Sequence, residues 1–493
     1  MRDYTLFIPE YWAAGAAVLI IAADILWPNM RRQLLAYLTA GAAVVYGGIA
    51  LFYIQSDPES FMGLIQVDDF TTFFRVLGAG IIAVTAILSA NHMQHRAGVL
   101  GEYYGLLLVA GIGLTFMAGA RELLTAYIAL EVLSFSLYIL VGYMRRDVFS
   151  AEASLKYVLL GGFASAILLY GISIIYGVSG STFYDAIAVG LADRGGDADI
   201  ATIIGLMLVI GGVGFKVSAA PFHMWAPDAY QGAPLPITAF LSTASKAAGF
   251  ALILRLFTAS FVDDAEFWRW AIAGVAVLTM AVGNLVALQQ TDLKRLVAYS
   301  SIGQVGYMLV VIAALGYGGR EVGEQASSAL LLHMVGYVIS TLALFTALTA
   351  YYDRTGKDSS IRGIRGMAET QPYLALIITA ALFSFAGLPF FAGFATKLFM
   401  FQASAEPELL WVIGVAIVAS FVSLYYYLMV IRQMYLFEPE GGVQRFRLPP
   451  LVWVVATVLL LGILFIGIYP APVFEIADSA VQPLFEVGAD ISP

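Results

Sequence analysis

No cysteine occurs in the 493 residues, and charged side chains make up only 12% of them. The first absence excludes disulfides, thiolate zinc sites, iron–sulfur ligation and thiol catalysis in this chain. The second excludes water as the main solvent, because soluble globular proteins carry roughly 25% charged residues. Histidine is equally scarce, with four residues at 92, 95, 223 and 333. Only His92 and His95 are close in sequence, and both fall in a short loop where surface exposure is expected. No metal constellation, glycine-rich phosphate loop or paired haem histidines can be read from the sequence. The net charge of −9 argues against nucleic acid as a partner. Electron transfer and nucleotide binding are therefore not expected of this chain.

What is present is apolar: 60% hydrophobic residues and a mean hydropathy of +0.85. A bilayer core of ~30 Å needs about 20 such residues per helix. Fourteen segments qualify, at about 10–28, 34–54, 72–90, 101–118, 122–143, 154–177, 202–223, 235–257, 268–288, 295–316, 327–350, 373–402, 409–432 and 450–472. The expected fold class is an all-α membrane protein of about 14 transmembrane helices. Met1 to Tyr11 shows no small-residue cleavage pattern, so the first run is expected to be a permanent span. If the N-terminus is outside, fourteen of the 25 Lys and Arg residues fall in inner loops, five in outer ones and six inside the spans. Cytoplasmic loops are enriched in these residues. A cell-membrane protein with both termini on the outer, periplasmic side follows.

The chain also resembles itself. Ala126 to Ser136 is similar to Ala298 to Met308, with Glu131 opposite Gly303. Each segment opens the second helix of a possible five-helix unit, spans 4–8 and spans 9–13. Span 7 carries Gly214, Lys216 and Pro221, and span 12 carries Gly387, Pro389 and Lys397. Both are apolar helices predicted to break beside a lysine. A unit with an odd number of crossings must be followed by an inverted copy, and broken helices at matching positions of inverted repeats point to a transport site near the midplane. The expected organisation is a three-helix segment (1–100), a first repeat (101–258), a second, inverted repeat (259–435), and a last transmembrane helix with its tail (436–493).

A charge at the bilayer centre costs ~2.5–3.5 kcal/mol on insertion scales, so it needs a partner, a hydrated cavity or a function. Lys216, Lys246 and Lys397 sit in the middle of spans 7, 8 and 12. Pro221 removes a backbone donor just beyond Lys216. Ser242 and Ser245 precede Lys246 and leave room for water. A free lysine has a pKa of ~10.4, but a dry environment disfavours any ammonium and an approaching carboxylate favours it again. An amine so placed is a switchable proton site. Glu131, the one acid in the middle of a span, is the natural partner of Lys216 or Lys156. A purely structural ion pair is the plainer reading. Lys156 and His333 lie early in spans 6 and 11 and form weaker relay candidates, and so does His223 beside the first break. Arg75 and Arg255 are expected to snorkel from span ends, and Asp24 to meet Arg31, Arg32 or headgroups.

Three stretches carry a resemblance to a known family. Gly214 to Phe240 reads GFKVSAAPFHMWAPDAYQGAPLPITAF, Asp292 to Gln304 reads DLKRLVAYSSIGQ, and Ala386 to Lys397 reads AGLPFFAGFATK. They resemble the antiporter-like subunits of respiratory complex I, the NADH:quinone oxidoreductase, over about residues 100–435. The resemblance implies that Glu131, Lys216, Lys246 and Lys397 form a polar axis along the membrane centre that translocates protons. It implies a place in the membrane arm beside sibling antiporter-like subunits. Flavin, iron–sulfur clusters and quinone would then belong in or at partner subunits, with no cofactor in this chain. A subunit of a multisubunit cation/proton antiporter is the alternative, and a scaffold whose lysines only pair is the third reading. Lysine at 397 favours the first.

Overall fold

The computed structural model describes residues 4–27, 31–54, 58–94, 96–192, 200–261, 265–316, 319–439 and 445–486. His95 lies outside the described residues. The chain begins with α1 (Ile8–Leu26), α2 (Arg32–Ala50), α3 (Asp69–His92), α4 (Gly101–Gly119) and α5 (Leu123–Val141). An antiparallel hairpin of β1 (Glu59–Phe61) and β2 (Ile65–Val67) separates α2 from α3. Then follow α6 (Val148–Ser179), α7 (Tyr184–Ala192), α8 (Ile200–Val217), α9 (Trp225–Gly232) and α10 (Leu235–Ser260). The second half comprises α11 (Ala265–Ala287), α12 (Leu293–Ala314), α13 (Gly319–Thr355), α14 (Met367–Thr370), α15 (Pro372–Ala386) and α16 (Ala392–Ala403). It ends with α17 (Leu410–Leu436), α18 (Pro450–Ile468), α19 (Ala471–Val481) and α20 (Pro483–Glu486).

Among the described residues, thirteen helical stretches are long and apolar enough to cross a bilayer. α15 and α16, with 15 and 12 residues, are each too short. Placed end to end they supply one more crossing, since a helix rises 1.5 Å per residue and the core is ~30 Å. Counted as one broken segment beside the thirteen, they match the fourteen expected from hydropathy among the described residues. α13 is longer than expected, at 37 residues. Its polar first turns, Gly319 to Gln325, escape a hydropathy reading but continue the helix. α10 lies at the centre of the bundle and is buried on all sides. Its Ala, Ser and Gly residues permit that, because small side chains let neighbouring backbones approach. A Cβ on Gly249 would stand 2.5 Å from Val217 of α8.

Both predicted breaks are present and are built alike. α8 stops at Val217, where Ser218 takes φ +66°; α15 stops at Ala386, where Gly387 takes φ +80°. In the first, the Ser218 and Ala219 N–H groups fold back onto the carbonyls of Phe215 and Gly214, at 3.0 and 2.8 Å. In the second, Gly387 and Leu388 do the same to Ser384 and Phe383, both at 3.0 Å. A left-handed residue closing the last turn is a common way to satisfy terminal carbonyls.

A second match ties α5 to α12. Glu122 caps α5 and Asp292 caps α12. The Leu123 N–H donates to the Thr182 carbonyl and the Leu293 N–H to that of Ser359, at 2.9 and 2.7 Å. Gly113 of α4 packs on the Ala129 and Leu133 backbone, and Gly283 of α11 on that of Tyr299 and Gly303. This register aligns Leu133 with Gly303 and sets Ser301 opposite Glu131. The sequence likeness, resting on Ala-Tyr pairs, had placed Gly303 there. The glycine contacts decide the register, because only one register brings the backbones together.

Four expectations about polar residues are overturned. Arg75 does not snorkel; it is buried and forks onto Glu10 with both N–H···O distances at 2.8 Å. Arg255 is buried as well, on both oxygens of Asp68 at 2.8 and 2.9 Å. Among the described residues Asp24 pairs with no arginine: it accepts the Leu100 and Gly101 N–H groups at 3.0 and 2.8 Å, at the N-terminus of α4. His92 is buried rather than exposed and bonds Asp353 at 2.8 Å. In each case a partner distant in sequence pulls the group inward.

A buried pair broken on one side strands a charge, at a cost of about 3–5 kcal/mol. Glu10→Ala should therefore lower the thermal midpoint of the solubilised protein sharply. Glu10→Leu combined with Arg75→Met should restore most of it. A midpoint unaltered by Glu10→Ala would remove this pair from the account of stability.

Candidate functional site

The three lysines are all interior, none more than 4% exposed. Lys216 occupies the last turn of α8, and its ammonium donates to Ser134 Oγ of α5 at 2.8 Å. Glu131, one turn earlier on α5 and half-buried, accepts from Ser165 of α6. Among the described residues Glu131 makes no direct ion pair with Lys216. A cavity of about 10 Å³, lined by Ser134, Ser165 and Lys216, is about the size of one water. The expected carboxylate–amine pair is thus spaced by hydroxyls.

Lys246, in the middle of α10, donates to Tyr230 OH of α9 at 3.0 Å and to Ser301 Oγ of α12. Ser301 is also 3.0 Å from Tyr337 OH of α13, which donates to the Ser242 carbonyl at 3.1 Å. The ammonium stands 5.5 and 6.0 Å from the Tyr230 and Tyr337 ring centres. Four helices therefore converge on one amine. Ser242 joins through its backbone carbonyl.

Lys397 lies on α16, beyond the second break. It donates to the Phe385 carbonyl at 2.8 Å and to Ser420 Oγ at 3.0 Å, and sits 4.4 Å from the Tyr307 ring centre. The Phe385 carbonyl is the counterpart of Lys216 when the two breaks are overlaid. The lysines thus occupy opposite halves of their broken helices, although the breaks match. His333 joins this end: its Nδ1 is 2.8 Å from Thr396 Oγ1, next to Lys397, while Nε2 finds no partner among the described residues. It shares a helical face with Tyr337, one turn along α13. It is deeper than expected because α13 begins at Gly319.

The other two candidates are elsewhere. Lys156 pairs with Glu152 at 2.7 Å and Asp228 at 2.9 Å, and is too exposed for the interior. Glu131 is not its partner. His223, half-buried at the first break, has its ring 6.5 Å from that of Tyr299 and hydrogen-bonds none of the lysines among the described residues. The Asp292–Gln304 motif proves to be partly structural. Arg295 donates to Asp228 at 2.5 Å, and Lys294 to the Gln231 and Ala233 carbonyls at 2.5 and 2.7 Å, which seats α9 beneath Lys246. Tyr230, Ser301, Tyr337, Ser134, Ser420 and Tyr307 had no assigned role in the sequence reading. Tyr230 and Ser301 stood inside the quoted family motifs, and Ser134, Ser301 and Tyr307 inside the self-similar segments.

Among the described residues no carboxylate lies within 4.0 Å of Lys246 or Lys397. Their partners are hydroxyls, a carbonyl and ring faces. A hydroxyl both donates and accepts. It can accept from an ammonium and donate to the amine left after a proton departs. The arrangement suits amines that change protonation state, and serves a permanent salt bridge poorly.

Fold and site together define a polytopic membrane protein with two broken helices and a chain of buried amines. The chain belongs to the family described as NADH:quinone oxidoreductase/Mrp antiporter, TM, whose model matches residues 120–423. It is 38% identical to NADH-quinone oxidoreductase subunit N of Moorella thermoacetica, over 98% of this chain and 100% of that one. It is likewise 38% identical to subunit N of Dehalococcoides mccartyi, over 97% and 99%. Its structure resembles a chain of respiratory complex I from Thermus thermophilus, with a TM-score of 0.80, 29% identity and coverage of 96% and 100%. A chain of the Mrp complex from Dietzia shares the fold, with a TM-score of 0.82 at 21% identity over 98% and 99%.

Burial alone would raise the pKa of Asp228, but hydrogen bonds from Lys156 and Arg295 outweigh it and hold the carboxyl below its ordinary value. Its stabilisation is therefore complete above the unfolded pKa of about 4 and is lost as pH falls through the folded one. Asp228→Asn should cost about 1 kcal/mol at pH 7, this being a partly exposed pair. The gap in thermal midpoint from the parent should stay constant above about pH 5 and close in acid. A gap that widens in acid would refute the assignment.

Proposed function

We propose that the chain is a proton-translocating membrane-arm subunit of an NADH:quinone oxidoreductase, corresponding to subunit N. Quinone reduction in other subunits drives proton movement through Lys216, Lys246 and Lys397, with Glu131 at the first lysine. One observation carries this reading: three interior amines, on α8, α10 and α16, are held chiefly by hydroxyls and carbonyls instead of by fixed countercharges. A scaffold built on ion pairs would hold its charges as Arg75 and Arg255 are held, each on a carboxylate.

Residues 101–258 and 259–435 act as two inverted units, each with one broken helix. The paired breaks and the shared α5/α12 register support this division. Residues 1–100 and 436–493 flank them. The three amines supply proton sites; His333 extends the Lys397 end, and Lys156 and His223 stand aside. Flavin, iron–sulfur clusters and quinone belong to partner subunits, among them sibling antiporter-like subunits, and the chain does no redox chemistry itself. It resides in the bacterial cell membrane with both termini outside. The alternative, a cation/proton antiporter subunit, has a fold match at 21% identity and is the weaker reading beside relatives at 38%.

Two measurements test it. The tagged chain should co-purify with flavoprotein and iron–sulfur subunits; isolation with transporter-like subunits alone would favour the antiporter. In the assembled complex, Lys246→Ala should cut quinone-dependent proton pumping at least about tenfold, a loss of one relay group worth ~1.4 kcal/mol or more. Pumping at the parent rate would eliminate Lys246 from the path.

A further inference from the structure

A cleft of about 510 Å³ opens between α3, α13 and α18, away from the three lysines. Its volume falls in the range of about 300–1,000 Å³ typical of ligand sites. The walls change character along the helices. Leu88, Ala350 and Val452 line one part, and Gln33, Asn91 and Arg96 another. The cleft lies at the end of the bundle that carries Arg31, Arg32, Arg96, Arg354, Arg445 and Arg447.

The charges within it are unequal. The carboxylate of Asp353 is already engaged by Arg96 at 2.7 Å and by His92 at 2.8 Å. Arg354, the next residue on α13, also lines the cleft, is exposed, and has no ion pair or hydrogen bond among the described residues. Thr349 lines it one turn deeper. That side chain is 3% exposed, yet its hydroxyl has no hydrogen-bond partner among the described residues. A buried hydroxyl without a partner costs free energy unless something fills the space beside it. The site thus offers an uncommitted guanidinium at its mouth, an unpaired hydroxyl within, and apolar walls supplied by α3, α13 and α18. Arg is suited to phosphate oxygens, and basic pockets between transmembrane helices receive anionic headgroups.

We propose that this cleft holds the phosphate headgroup of an anionic phospholipid from the adjoining leaflet. Arg354 binds a phosphate oxygen, the Thr349 hydroxyl donates to the headgroup, and an acyl chain runs along α18. The bound lipid ties the N-terminal helices, through α3, to α13 and to the last membrane helix.

The test uses the full chain purified in detergent and stripped of lipid, with native mass spectrometry counting what rebinds. Dioleoyl-phosphatidylglycerol should bind as one tightly held molecule that dioleoyl-phosphatidylcholine and inorganic phosphate do not replace. Arg354→Gln should weaken that molecule about fivefold, the worth of one arginine at an anionic surface. Arg354→Lys should retain most of the binding, and Thr349→Val should weaken it without disturbing the fold. Unchanged phosphatidylglycerol binding in both Arg354→Gln and Thr349→Val would overturn the proposal. So would equal binding of phosphatidylcholine, or occupancy by inorganic phosphate alone.

Discussion

An ammonium group withdrawn from water must be solvated by the protein, and the kind of group that does so decides what the amine can do. Arg75 and Arg255 are solvated by carboxylates, which fix their charge and staple helices together. Lys216, Lys246 and Lys397 are solvated mainly by hydroxyls, by one carbonyl and by aromatic faces. Such partners stabilise the charged form less, and the hydroxyls also serve the neutral one. The same bundle therefore contains two kinds of buried cation, one held by carboxylates and one by hydroxyls, a carbonyl and ring faces.

The breaks in α8 and α15 follow from that requirement. A continuous helix satisfies its carbonyls internally and has little to offer a neighbouring amine. Ending α15 at Ala386 frees the Phe385 carbonyl, which then receives Lys397 and also the Gln304 side chain at 3.1 Å. Ending α8 at Val217 leaves the Lys216 carbonyl to accept Ser245 Oγ of α10, at 3.2 Å. Irregular backbone is tolerated at membrane depth only inside protein or beside water, and the first break lies against α10 through Ser245. The two breaks share a closing geometry but carry their lysines on opposite sides. Among the described residues only Lys216 has a carboxylate, Glu131, within a turn of the serine that holds it.

Much of this was legible in the sequence because hydrophobic length and the Gly–Pro interruptions are local signals. The crossings, both breaks and the three interior lysines needed no knowledge of tertiary contacts. Most of what misled was a long-range partner. Glu10 and Asp68 lie 65 and 187 residues from the arginines they hold. Asp353 reaches His92 across 261 residues, and no local pattern announces that. Lys156 looked intramembrane because α6 begins at Val148, six residues before the apolar run, and that extension supplies Glu152, while α9 supplies Asp228. The tyrosines around Lys246 were invisible for another reason: in a chain with 27 of them, a phenol that binds an amine looks like one that merely packs.

In the proposed proton path, Glu131 and Lys216 act together across the intervening serines as one protonatable unit. The most direct test is a double-mutant cycle, Glu131→Gln and Lys216→Met, read as quinone-dependent proton pumping by the assembled complex in vesicles. Coupled groups give non-additive losses, with interaction energies of about 0.5–3 kcal/mol. The double variant is expected to pump no worse than the poorer single one. Losses that simply add would contradict it and leave Glu131 and Lys216 as independent neighbours.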